Sequence, residues 1–166
     1  RVKNARTKIN RDLAAAVAAC SNFRDQVISN GPIMQAFVSK NRALEDKLVR
    51  SFVDSNRFSG DVTLIDLKGN VFYNSETPKN HGYSAINSSE IIKLVFNNPS
   101  NQVYYGVSDF SKNNEITVSS VSKIMDKEKK LVGIIAVSQP LNIAYLTGEK
   151  TRISLEEINP VDDIDF

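Results

Sequence analysis

Apolar residues recur every three or four positions through the opening stretch of the chain, at Val2, Ala5, Ile9, Leu13, Ala16, Cys20, Phe23 and Val27. A period near 3.5 places them in one stripe along an α-helix. Ala14, Ala15, Ala16, Ala18 and Ala19 add intrinsic helix preference. Nothing breaks the pattern before Asn30-Gly31-Pro32, where glycine can end one helix and proline begin the next. Such a helix would be roughly 40 Å long at about 1.5 Å per residue. That is more than a small domain needs. The stripe through Ile9, Leu13, Ala16 and Cys20 is therefore expected to meet either a second copy of the chain, as a dimer seam, or the chain's own sheet.

A second helix is expected to follow, with Met34, Phe37, Val38, Leu44, Leu48 and Phe52 on its apolar side and its end near Ser55-Asn56. The pattern then turns to strands. Val62 to Ile65 is a short apolar run, and Val71 to Tyr73 returns after Asp66-Leu67-Lys68-Gly69-Asn70. In that turn Asp66 can bond its own backbone and Gly69 can take positive φ. Ser88-Ser89-Glu90 opens a short helix from Ile91 to Phe96. Asn87-Ser88-Ser89 also fits a glycosylation acceptor, but capping accounts for the same residues. Three more strands are expected, near Gln102 to Val107, Glu115 to Ile124 and Leu131 to Val137, with Pro140 stopping the last. The first and fifth runs are apolar on both faces and belong in the centre of a sheet; the second, third and fourth read as outer strands. The fold class is thus α+β: a five-stranded antiparallel sheet, a long N-terminal helix and a second helix packed on it. The expected divisions are 1–57 for the helices, 58–146 for the core and 147–166 for an exit segment, all within one domain.

Composition narrows the function. The 166 residues suit one domain, with 41% hydrophobic and 24% charged residues, so disorder is excluded. A net charge of +2 gives no reason to propose nucleic acid as a partner. A single cysteine and a single histidine, Cys20 and His81, argue against a disulfide scaffold, a structural zinc site and a multi-histidine metal centre. No metal or cofactor is expected. The longest uncharged run, Leu131 to Gly148, contains Gln139, Pro140 and Asn142 and reads as a strand and turn rather than a membrane span. The start, Arg-Val-Lys-Asn, has no signal-peptide pattern, and the chain is expected to be a piece of a longer protein. Its start is basic and its end acidic, so the two ends are either simply solvated or weakly attracted to each other.

No motif for hydrolysis, nucleotide binding or zinc proteolysis is present. The fragment is not expected to be an enzyme. Its candidate ligand-binding residues are Tyr73, His81, Tyr83, Tyr105, Ser119 and Lys123, which a loop and short helix closing over the sheet would gather round one concavity. Strand alternation puts Thr117, Ser119, Val121 and Lys123 on one face and Val118, Ser120 and Ser122 on the other. Which face meets the long helix is left open.

The stretch Val62 to Ser75, with its Asp66-Leu67-Lys68-Gly69 turn and closing Ser75, resembles the opening hairpin of extracytoplasmic PAS-like sensor domains, also called Cache or PDC domains. Asn80-His81-Gly82-Tyr83 leading to Ser89-Glu90-Ile91 is similar to the loop and short helix in sensor histidine kinases of the phosphate-responsive and carbon-source-responsive type. Leu131 to Leu141 looks like their last strand and exit. The resemblance covers about 61–146. It implies a sensing module outside the membrane of a two-component histidine kinase or related receptor. The module would bind a small molecule or a periplasmic partner protein and pass the signal through the long helix, with membrane spans flanking the fragment and the full-length protein acting as the kinase. Carboxylate-binding members of the family use basic residues, for which only Lys79, His81 and Lys123 are candidates here. The alternative is a cytosolic PAS-like or profilin-like interaction module with no membrane link.

Overall fold

The computed structural model describes residues 2–107 and 115–142. The exit segment expected at 147–166, with its acidic tail, lies outside the described residues. The helical stripe forms α1, Val2–Ile28. Asn30 caps the next helix by accepting from the Ile33 backbone N–H at 3.0 Å, and Pro32 sits in its first turn, as the Asn-Gly-Pro signal implies.

The second helix is two helices, α2 (Gly31–Val38) and α3 (Arg42–Ser55). Apolar spacing alone read through the break. Lys40 takes the left-handed conformation, φ 57°, and the Asn41 side chain accepts from Leu44 N–H at 3.2 Å, so α3 starts afresh. Val38 and Leu44, expected on the apolar side, flank this corner and are exposed, while Phe37, Leu48 and Phe52 join the core.

The strands are β1 (Asp61–Ile65), β2 (Val71–Asn74), β3 (Tyr104–Val107), β4 (Glu115–Met125) and β5 (Leu131–Asn142). Two short helices, α4 (Ala85–Ser88) and α5 (Glu90–Asn97), precede β3. The sheet order is β2-β1-β5-β4-β3, and every neighbouring pair is antiparallel. β5 is central and β1 internal, as their apolar runs require. β4 is also internal, contrary to its reading as an outer strand. Its alternating polar residues Ser120 and Ser122 are buried, with Ser120 bonded to a helix side chain rather than to water.

The β1–β2 turn has the expected chemistry. Asp66 Oδ1 accepts from Lys68 and Asn70 N–H at 2.9 and 3.0 Å, and Gly69 sits at φ 84°. Ser75 closes the hairpin by accepting from Val62 N–H at 2.9 Å. The β1–β2 register shifts between Leu64 and Ile65, and both Phe72 and Tyr73 enter the core on the side of α3. All four β2 residues are buried although the strand is an edge.

Pro140 does not stop β5. It pairs opposite Thr117 of β4, while β1 ends opposite Ser138. On that flank β5 has become an edge, where proline's missing N–H interrupts no ladder.

The two faces carry different layers. On the first, α1 lies across β4 and β5, with Ile9, Leu13, Ala16 and Val17 on Ile116 and Val118. Further along, Cys20, Phe23 and Val27 pack with Phe37, Val49, Leu64, Tyr73 and Val137. Phe23 stacks on Phe58 with ring centroids 4.2 Å apart. Of the two expectations for the stripe, the packing on the chain's own sheet is the one this burial supports. Ile9, Leu13 and Cys20 are fully buried and Ala16 nearly so, against this chain's own sheet. A second copy would have to meet other residues, because the stripe's apolar area is already withdrawn from water. The second face is covered by α4 and α5, with Ile92 and Val95 on Ile65, Val121, Ile134 and Ala136.

Candidate functional site

The six residues expected to share one concavity are divided by the sheet. Tyr73 lies on the α1–α3 side, fully buried, and its hydroxyl donates to Asp46 Oδ1 at 2.8 Å. Burial, with Asp46 beside it, pushes its ionisation well above the ordinary tyrosine range. Tyr105 is on the same side and its hydroxyl accepts from Ser21 Oγ at 3.3 Å. Ser119 and Lys123 lie on the opposite, α5 side. His81 and Tyr83 are exposed in the loop after β2, as is Lys79. That loop is tied to the sheet edge by Val71 N–H to Tyr83 O at 2.9 Å and Gly82 N–H to Val71 O at 2.7 Å. The side chains fail to converge because Tyr73 and Tyr105 occupy strand positions of opposite parity to Ser119.

A different group does converge, in a cleft of about 440 Å³ between α5 and the sheet. That volume is within the range of small-molecule sites. Strand pairing builds its floor as two rows. One runs Asp61, Ser138, Ser119, Gly106 across β1, β5, β4 and β3; the next runs Asn74, Thr63, Ala136, Val121, Tyr104 from β2 to β3. Thr63, Ser138 and Ser119 line the cavity from the floor, and Glu90, Ile91 and Ile92 from α5 above.

Hydrogen bonds fix the floor. Ser119 Oγ and Ser138 Oγ lie 2.7 Å apart, so one donates to the other and the pair keeps one O–H for a visitor. Thr63 Oγ1 accepts from Asn74 Nδ2 at 2.7 Å and keeps its own proton. The same amide donates to Asp61 Oδ2 at 2.9 Å. Asp61 is partly withdrawn from water, and burial raises its pKa despite that bond.

Above the floor, Ser89 caps α5 by accepting from Ile92 N–H at 3.3 Å, which supports the capping reading of Asn87-Ser88-Ser89. At the far end, Lys123 Nζ donates to the Asn98 carbonyl, and Asn98 Nδ2 donates to the Tyr104 hydroxyl. Lys123 therefore anchors the end of α5 to β4.

Gly106 sets how closely α5 approaches. A Cβ there would collide with Ile91 Cδ1. Gly106→Ala should force Ile91 to swing away. The clash is with the tip of a flexible side chain, so urea unfolding should show a loss of only about 1 kcal/mol. A loss several-fold larger would show that α5 cannot yield. An isolated glycine in a strand was the available sequence signal for this approach.

On the reverse of β4, the Arg24 side chain is almost fully buried. Its Nη1 donates to Ser120 Oγ at 2.5 Å and its Nη2 to Asp25 Oδ1 at 2.8 Å. Ser21 Oγ lies 3.3 Å from Ser120 Oγ, and the Cys20 thiol contacts the Val118 carbonyl at 3.7 Å. Burial, with Asp61 a lesser cause, pushes that thiol's pKa up to about 12, which keeps it protonated and unreactive. Consecutive residues of one strand thus face the cleft (Ser119) and grip the long helix (Ser120). Sequence reasoning missed Arg24 because a basic residue on a helix is usually solvated.

Among solved structures, the chain is similar to the periplasmic domain of Vibrio cholerae LuxQ, with TM-score 0.60 and 16% identity over 86% of this chain and 65% of that one. It is also similar to the sensor domain of the V. cholerae histidine kinase DctB, with TM-score 0.63 and 11% identity over 90% of this chain and 58% of that one. The chain thus spans less than two thirds of the length of either. No protein-family model matches it, and no curated protein sequence matches it. At this level of identity the likeness establishes the fold. The PAS-like architecture anticipated from Val62 to Ser75 and from Leu131 to Leu141 is the architecture observed.

Proposed function

We propose that this chain is the extracytoplasmic sensing module of a two-component sensor histidine kinase or a related transmembrane receptor. Its fold is shared with the periplasmic domain of LuxQ and the sensor domain of the histidine kinase DctB. No helix among the described residues is long and apolar enough to cross a membrane, so in this reading the spans lie outside them. The kinase activity belongs to the rest of the receptor, and the module itself binds and relays.

The observation that carries the reading is the back-to-back arrangement on β4. A small molecule seated on Ser119 and Ser138 presses on a strand whose next residue, Ser120, holds Arg24 and Ser21 of α1. Occupancy that favours one position of β4 then favours one position of α1, and the helix carries the shift along its length. The periplasmic partner protein implied by the family resemblance is the other source of such a bias.

A substituted side chain can stand in for the ligand. Ser119→Phe places a ring in the cleft, and hydrogen exchange then reads the α1 amides around Ser21 to Arg24. The expected result is a several-fold change in their protection, abolished when Arg24→Gln is added. Unchanged α1 protection in a folded Ser119→Phe variant would remove the relay.

A further inference from the structure

We infer that the cleft selects an uncharged, hydrogen-bonding small molecule and discriminates against carboxylates. This rests on the cleft being the ligand site, as proposed above.

The argument is one of charge and of donors. The floor offers hydroxyls, from Thr63 and from the Ser119–Ser138 pair, each with a proton to give to a ligand oxygen. Neutral hydroxyls bind a carbonyl or alcohol well, but they do not compensate the desolvation of an ionised carboxylate. The charged groups nearby among the described residues have the wrong sign for an anion. Glu90 is on the α5 wall, and Asp61 continues the floor row beyond Ser138. Of the described cations on this side, Lys123 is bonded to the Asn98 carbonyl at the other end of α5, and Lys93 is exposed on α5 beside Leu94, outside the cleft lining. The α5 N-terminus is a weak substitute, because Ser89 takes Ile92 N–H from its donors and the acidic Glu90 in the first turn offsets part of its positive end.

A cation gains little more than a neutral guest. Glu90 is exposed, so water and salt weaken its pull on a cation as they weaken its push on an anion, and the neutral hydroxyl floor decides the ligand class. Asp61 is held by Asn74 to one side. The apolar walls, Ile91, Ile92, Val121 and Ala136, suit a compact carbon skeleton with a few oxygens.

The test is a thermal-unfolding screen of the 166-residue chain against erythritol, xylose and acetamide, and in parallel against succinate, malate and pyruvate. At least one uncharged compound is expected to raise the melting temperature by about 3 °C or more, and the carboxylates are not. Thr63→Val and Ser119→Val are expected to remove that rise. Where Thr63→Val itself lowers the melting temperature, Ser138→Ala removes a hydroxyl without adding a methyl group and carries the same test. A carboxylate response that these variants abolish would overturn the ligand class while leaving the cleft as the site. A screen with no response, or a response the variants leave intact, would overturn the cleft as the site and this inference with it.

Discussion

The stability gained by Glu45→Leu is expected to be larger at pH 8 than at pH 4.5 by on the order of 4 kcal/mol. Glu45 is completely buried on the inner side of α3, and neither carboxyl oxygen has a hydrogen-bond partner. The groups around it do not relieve this. α2 carries no charged side chain, and β2 brings Tyr73, which donates to Asp46. On α3 itself, Arg42 donates through Nε to the Phe72 carbonyl at 2.6 Å, with its guanidinium 4.6 Å over that ring. Arg50 pairs with Asp46 at 2.9 Å. Burial therefore pushes the Glu45 pKa up from 4.5 to about 8.

The sign follows from proton counting. Between those two values the folded state holds a proton that the unfolded state has released, so stability falls as pH rises through the window and levels off above it. Leucine has no proton to lose and flattens that part of the profile. A smaller decline of the same sign belongs to Asp61, whose pKa is also raised by burial. Urea unfolding at several pH values from 4.5 to 8.5 measures the difference. Parallel profiles for wild type and Glu45→Leu would show that Glu45 meets a partner or water.

Leu13→Asp is expected to unfold the chain rather than dissociate an assembly. Leu13 is fully buried between α1 and β4, in the cluster with Ile9, Val17, Ile116 and Val118. Removing its side chain in Leu13→Ala should cost about 3 kcal/mol through lost burial and the cavity left behind. Aspartate at the same place adds an uncompensated charge and raises the cost to more than about 4 kcal/mol, comparable with the whole stability of a domain of this size. Circular dichroism and urea titration read both variants. A folded, monomeric Leu13→Asp beside a dimeric wild type would mean that the stripe faces outward and meets a second copy, contrary to its burial here.

Much of the fold is legible one element at a time, because local rules act within a few residues. Asn30-Gly31-Pro32 ends α1 and starts α2 for reasons of capping and φ. Asp66 and Gly69 make the hairpin turn, and Ser89 caps α5. The break at Lys40 and Asn41 was present in the sequence as an Asn N-cap, but the apolar spacing on either side masked it. Pro140 misled in the opposite sense, since a strand stops at proline only where a neighbour needs its N–H.

The candidate site was less legible, because it depends on which residues share a face across strands distant in sequence. Ser119 is legible in the sequence as a candidate and lines the cleft, whereas Thr63, Gly106 and Ser138 carry no local mark of the site. They come together through the registers of β1, β3 and β5 with β4 and one another, which no window of sequence contains. The tyrosines have the chemistry of a binding site, but chain parity sends Tyr73 and Tyr105 to the other side.

Local pattern was enough for most of the elements, for the β1–β2 hairpin and the β3–β4–β5 meander, and for the apolar character of β1 and β5. It was enough because periodicity, caps and turns are properties of neighbouring residues. Long-range packing settles that the stripe on α1 is consumed by the chain's own sheet, that Glu45 lies in the core without a hydrogen-bond partner, and that the Ser120 face of β4, not the Ser119 face, meets the long helix. Those outcomes depend on which surfaces exclude water from one another, and that is settled only when distant segments meet.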